Sequence, residues 1–160
     1  MKNEIERKWL IDIKNIPLNL NDYNYKDIEQ AYLLSKPTCR IRKEDSTYFF
    51  TIKENTFING EKDNYVRKES NFIIDKDTYD RLILSKFGIV IKKRRYNIPY
   101  GEYIIELDIF KDEYKGLIYA EIEFDTREHA IEFTSPDWFG LEVTLHKKYS
   151  NLSLAKGSLL

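Results

Sequence analysis

In at least five segments of this chain, two side chains of like charge sit two residues apart: Glu4 and Glu6, Arg40 and Arg42, Lys93 and Arg95, Glu106 and Asp108, Glu121 and Glu123. On a helix, residues at that spacing point in different directions. On a strand they share one face, about 7 Å apart at a rise of about 3.3 Å per residue. Like charges so placed repel unless an opposite charge, a metal or an anion compensates them. Ile5, Ile41, Ile52, Ile105, Leu107, Ile122 and Phe124 alternate with charged positions and point the other way. The chain is therefore expected to build a sheet with one apolar face and one face carrying organised charge.

Period-two alternation rich in Ile, Tyr, Phe and Val marks strands near Glu4–Leu10, Asp27–Leu34, Thr38–Glu44, Thr47–Glu54, Tyr65–Ile74, Ile89–Pro99, Glu102–Phe110 and Leu117–Asp125. Asn59-Gly60 and Tyr100-Gly101 mark turns. Three helices are expected as well. Asp75 caps one with an apolar face of Tyr79, Leu82, Ile83 and Phe87, closed by Gly88. Thr126 caps a shorter one through Ala130, Ile131 and Phe133, and Ser135-Pro136 reads as a cap and first helical position. No repeat, low-complexity stretch or linker divides the sequence, so residues 1–160 are expected to form a single domain, mainly β (α+β).

Composition narrows the function. With 26 basic and 27 acidic residues the net charge is -1, which argues against a non-specific nucleic-acid or membrane-surface binder. Any anion site must be local. The single Cys39 excludes an internal disulfide and a multi-cysteine metal site. There is no apolar run near the length of a membrane span and no signal-peptide pattern at Met1–Leu10, so a cytoplasmic protein is expected. His129 and His146 lack metal-ligand partners at helical spacing, and no Gly-rich phosphate loop, GxSxG or HExxH occurs.

Periodicity leaves two geometries open. The charged face either lies in water, or the sheet curls into a barrel with a charged lumen and a helix-covered outside. The second lets acidic and basic strands face one another. Paired carboxylates are hard oxygen ligands for Mg²⁺ or Mn²⁺. Clustered Arg and Lys suit phosphate oxygens. Together they describe a site for a metal-bound phosphate chain, where chemistry needs mainly positioning and charge neutralisation.

Glu4-Ile5-Glu6-Arg7-Lys8 resembles the ExExK signature of the CYTH family, the triphosphate tunnel metalloenzymes. The pattern continues in that family's order with Gln30-Ala31-Tyr32-Leu33, Arg40-Ile41-Arg42, Thr51-Ile52-Lys53, Lys93-Arg94-Arg95-Tyr96 and Glu121-Ile122-Glu123. It closes on Pro136-Asp137-Trp138-Phe139-Gly140 and Glu142-Val143-Thr144. The resemblance implies an eight-stranded antiparallel barrel forming a tunnel with flanking helices, and metal-dependent hydrolysis of inorganic tripolyphosphate. By position it implies Glu4, Glu6, Asp108, Glu121 and Glu123 as metal carboxylates. Lys8, Arg40, Arg42, Lys53, Arg67, Lys93 and Arg95 would hold phosphates, and Lys93 with Tyr32 would activate water. The neighbouring Arg94 and Arg95, with Arg40 and Arg42 across the lumen, are expected to favour the neutral amine of Lys93. A small-molecule triphosphate is the implied partner, with the chain a monomer or homodimer.

Three positions depart from the family pattern: Asn71 where a glutamate is usual, His146 where an aspartate is common, and Ala31 in place of glycine. Alternatives on the same fold are a thiamine- or nucleoside-triphosphatase, an adenylate cyclase, and a non-catalytic polyphosphate-binding module.

Overall fold

The computed structural model describes all 160 residues. Eight strands dominate it: β1 (Lys2–Leu10), β2 (Tyr25–Ser35), β3 (Thr38–Glu44), β4 (Thr47–Ile58), β5 (Glu61–Ile74), β6 (Phe87–Tyr100), β7 (Tyr103–Phe110) and β8 (Ile118–Glu123). They close into an antiparallel barrel in the order β1-β5-β4-β3-β2-β6-β7-β8. Strand β1 is the closing stave: Lys2–Ile5 pair with β5 and Glu6–Leu10 with β8. Closure removes the sheet edges. Of the two geometries open to the sequence, the barrel is the one adopted.

Most apolar packing lies outside the barrel. Ile5, Trp9, Ile98, Ile105, Leu107, Ala120, Ile122 and Phe124 form the largest cluster, and Ala130 of helix α2 (Arg127–Glu132) packs into it. Helix α1 (Lys76–Leu82) covers Ala31 and Ile41 with Tyr79. Helix α3 (Asn151–Ala155) packs Leu154 and Ala155 on Tyr32, Ile91, Phe110, Tyr114 and Tyr119. By strand parity Tyr32, Phe110 and Tyr119 share a face with Gln30, Asp108 and Glu121. The lumen thus turns aromatic at the end that α3 covers. No helix is long and apolar enough to cross a membrane.

Several boundaries differ from the sequence reading. Asp75 does cap α1, accepting from the Thr78 amide at 2.7 Å, but α1 stops at Leu82. Ile83–Ser85 make a 3-10 turn and Phe87 already opens β6. Gly88 lies inside β6 at φ +64, and a Cβ there would sit 2.0 Å from the Ala155 carbonyl oxygen. Its role is close approach of β6 to α3 rather than helix termination.

Ser135-Pro136 start no helix. The segment after Phe133 runs beside β1 instead. Gly140 donates to the Leu10 carbonyl, Leu10 to the Leu141 carbonyl and Val143 to the Lys8 carbonyl, at 2.8–2.9 Å. Strand β5 has left β1 beyond Ile5, so this run satisfies backbone groups that would otherwise be exposed. Helix α3, which hydrophobic periodicity over five residues is too short to reveal, is capped by Ser150. Strands β4 and β5 also reach further than their alternation, meeting at Asn59-Gly60, both at positive φ.

Candidate functional site

Strand register decides which charges meet. Cross-strand partners share a face, and the pairs Glu4↔Arg67, Glu6↔Glu123, Lys8↔Glu121, Gln30↔Arg42, Tyr32↔Arg40, Lys53↔Glu69, Arg95↔Asp108 and Glu106↔Glu121 all turn into the lumen. A cavity of about 200 Å³ results, lined by Glu4, Glu6, Arg40, Arg42, Glu44, Phe49, Lys53, Glu69, Asn71, Arg95, Glu106, Glu121, Glu123 and Asn151. Each of the five like-charge pairs has at least one member ion-paired with a group of opposite sign, and Glu6, Glu123 and Arg40 are the members that are not.

Acidic and basic groups interlock. Lys53 Nζ is 2.7 and 2.8 Å from the Glu4 oxygens and 3.2 Å from Glu69. Burial opposes charging Lys53, but Glu4 and Glu6 outweigh it and raise its pKa. Lys8 lies 3.5 Å from Glu121. Arg95 forks onto Asp108 at 2.6 and 2.8 Å and reaches Glu106 at 2.5 Å. Lys93 Nζ, fully buried, lies 2.7 Å from Asp108 Oδ2, the oxygen that Arg95 Nη2 also contacts. Burial pushes the Asp108 carboxyl up, yet Arg95 and Lys93 hold it below the ordinary range. Asp108 is thus held by two cations at once, whereas both oxygens of Glu4 face Lys53 alone.

Lys93 is pushed down to about 8, first by burial; Asp108 opposes this while Arg95 and Arg42 add to it. Arg94 takes no part. It lies on the outer face, bonded to Asp27 at 2.9 and 3.1 Å and stacked on Tyr25. The expectation that Arg94 presses on Lys93 fails because successive residues of a strand point to opposite faces. Tyr32 is buried, and its hydroxyl accepts from Gln30 Nε2 at 3.0 Å rather than bonding Lys93.

Some groups have no counter-charge. Arg40 makes one bond, to Thr51 Oγ1 at 3.3 Å, and its buried Nε has no partner. Arg67 bonds only Thr38, at 3.3 Å, with Nε likewise unpartnered. Arg42 donates to Gln30 Oε1 at 2.8 and 3.1 Å and to Glu44 at 3.2 Å. On the acidic side Glu6 and Glu123 enter none of the hydrogen bonds or ion pairs that tie up Glu4, Glu69 and Glu106. Glu6 is pushed up to about 6 by burial, then by Glu4 and Glu121. Glu123, at the mouth, is pushed up to about 7 by burial and by Glu4, Glu106 and Glu6. Glu121 runs the other way: burial raises it, but Lys8, Arg95 and Lys93 hold it well below the ordinary range.

This donor set fits a hard divalent cation chemically. Glu6 and Glu123 are unpaired carboxylates, Glu121 Oε1 is buried without a hydrogen-bond donor, and all offer oxygen. No three acidic, histidine or cysteine side chains converge at coordination distance, and Lys53, Lys8 and Arg95 are ion-paired with Glu4, Glu121 and Glu106.

The inorganic triphosphatase of Nitrosomonas europaea is 32% identical over 164 residues, covering 95% of this chain and 96% of that one. The chain belongs to the CYTH superfamily. An inorganic triphosphatase of Acetivibrio thermocellus is 43% identical over 67 residues, covering 42% of each chain. The crystal structure of an inorganic triphosphatase superposes with a TM-score of 0.66 at 29% identity, covering 97% of this chain and 95% of that one. No family model matches the sequence.

Within this CYTH barrel the departures find local explanations. Asn71 accepts from Thr51 Oγ1 at 2.7 Å, so a neutral side chain completes the Arg40–Thr51 chain. Ala31 is fully buried under α1. His146 packs against Tyr149, with ring centroids 6.3 Å apart. Lumen residues that the sequence reading passed over are Gln30, Glu44, Thr51, Glu69 and Asn151. Glu69 was reachable, since it follows Arg67 at the two-residue spacing. Asn151 was not, because only the fold brings the C-terminal segment over the lumen. Arg7, inside the N-terminal motif, faces outward: it forks onto Glu142 at 2.7 and 2.8 Å and donates to the carbonyls of Ala130 and Phe133. One side chain thereby ties α2 and the 140–143 run to β1.

Proposed function

We propose that this barrel hydrolyses the terminal phosphoanhydride of inorganic tripolyphosphate with a divalent cation, Mg²⁺ or Mn²⁺, acting in the cytoplasm. The observation that carries the reading is one small cavity lined by a guanidinium without an ion pair, Arg40, and by unpaired carboxylates, Glu6 and Glu123, with Arg67, also without an ion pair, on the same face of the barrel. Neither set is satisfied by the protein alone. A metal–triphosphate complex satisfies both. The inorganic triphosphatases to which the chain is similar support the choice of substrate.

Lys8, Arg40, Arg42, Lys53, Arg67 and Arg95 bind the phosphate oxygens, exchanging carboxylate partners for phosphate as the chain enters. Glu4, Glu6, Glu121 and Glu123 would hold the cation, which would neutralise charge on the phosphate chain. Asp108 instead orients Lys93 and Arg95. Water attacks the terminal phosphorus, the bridging P–O bond breaks, and pyrophosphate leaves with the bonding electrons. Lys93 Nζ takes the water proton, its lowered pKa giving a neutral amine near working pH. Tyr32, at the same aromatic end, assists in placing that water.

Product release from tripolyphosphate, pyrophosphate, ATP and thiamine triphosphate, each with Mg²⁺ or Mn²⁺, tests the assignment. Tripolyphosphate is expected to be the preferred substrate. Preference for an organic triphosphate moves the function to another member of the family, and binding without turnover makes the barrel a polyphosphate-binding module.

A further inference from the structure

Asn151 is the first residue of α3, yet it lines the charged lumen. Its side-chain oxygen accepts from Lys93 Nζ at 3.2 Å. In this arrangement the carboxamide turns its oxygen toward Lys93. The Nδ2 end is turned away from Lys93. It enters none of the protein's hydrogen bonds, and it is not among the buried polar atoms left without a partner. Two N–H donors are therefore free beside a cavity whose other donors are guanidinium and ammonium groups. Phe110 and Tyr114 wall this end, and the Tyr114 hydroxyl fixes α3 by donating to the Leu154 carbonyl at 2.5 Å.

We infer that Asn151 is a phosphate-binding residue delivered by the C-terminal helix: Oδ1 holds Lys93 while Nδ2 donates to an oxygen of the bound phosphate chain. This rests on the tripolyphosphate reading above and adds to it a contact from outside the barrel strands. An uncharged donor suits this position. A further cation beside Lys93 and Arg95 would deepen the repulsion that the lumen already carries, whereas an amide adds a hydrogen bond without adding charge.

The test is Asn151→Asp, nearly identical in shape, in the full-length protein. Aspartate keeps an acceptor for Lys93 and is favourable in the first turn of a helix, so the melting temperature should stay level or rise. It lacks N–H donors and opposes an anion. Tripolyphosphate binding, measured by calorimetry with Mg²⁺, should weaken by about tenfold to a hundredfold, the range for a lost hydrogen bond to a charged group. Asn151→Leu, which removes both ends of the amide, should weaken binding as well and also lower stability. Unchanged affinity in Asn151→Asp overturns the inference, as does an affinity loss seen only together with a fall in melting temperature. If the unaltered protein binds no tripolyphosphate, the functional reading fails and this contact fails with it. If it binds and Asn151→Asp binds equally well, only the contact fails.

Discussion

Replacing Glu6 by glutamine should stabilise the metal-free protein while damaging its activity. The glutamate carboxyl, ordinarily at 4.5, is pushed up to about 6 by burial and by the neighbouring Glu4 and Glu121, with Lys53 and Lys8 opposing only in part. A carboxyl raised in the folded state binds its proton more tightly there than in the unfolded chain. Its favourable contribution is complete below pH 4.5 and is lost as pH rises through about 6. Above that window the charged form costs about 1–2 kcal/mol, allowing for screening by lumen water. Glutamine keeps the shape without the charge. At pH 8 in chelator, Glu6→Gln should raise the melting temperature by about 2–6 °C for a chain of this size, and at pH 4 the gain should vanish. Mg²⁺ should then stabilise the unaltered protein more than the variant, since it offsets the charge that glutamine lacks. Melting curves at both pH values, with and without Mg²⁺, check this. A lower melting temperature for Glu6→Gln at pH 8 would refute the argument and mark Glu6 as a structural ion-pair partner.

Two further perturbations separate binding from chemistry. Lys93→Ala should lower kcat by about 10²–10⁴-fold with little change in KM, and the alkaline rise in rate through about pH 8 should disappear; Lys93→Arg should not restore it, because guanidinium keeps the charge but accepts no proton at working pH. Rescue by arginine with an unchanged pH profile would reduce Lys93 to a phosphate clamp. Arg40→Ala should raise KM about tenfold or more and leave the metal-free melting temperature level or higher, since Arg40 has no ion pair to lose. Arg42→Ala should raise KM too but cost some stability, because Gln30 and Glu44 lose their partner. A fall in stability for Arg40→Ala with KM unchanged would contradict its assignment to substrate.

Much of the lumen was legible because strand parity is a strict code. Glu4, Glu6 and Lys8 had to share a face, and Glu121 with Glu123 likewise, whatever the fold. The same rule, applied one residue further, excludes Arg94 from the surroundings of Lys93, although the two are adjacent along the chain. Which charges pair across the lumen was not legible. That Lys53 chooses Glu4, and that Arg95 and Lys93 both choose Asp108, follows from register around a closed barrel. Local signals were weakest in the C-terminal third. Ser135-Pro136 has the composition of a helix start, but hydrogen bonding along the open flank of β1 draws that segment into an extended run. Five residues of α3 carry no readable period, so the aromatic end of the lumen and the reach of Asn151 to Lys93 emerge only from tertiary packing.

The central claim, terminal cleavage of tripolyphosphate at this lumen with a divalent cation, is tested most directly by following tripolyphosphate turnover with phosphorus NMR. With Mg²⁺ or Mn²⁺, orthophosphate and pyrophosphate should appear in equal amounts, and both should cease in excess chelator and fall sharply in Glu6→Gln. No turnover with either cation, or full turnover in excess chelator, would contradict the account.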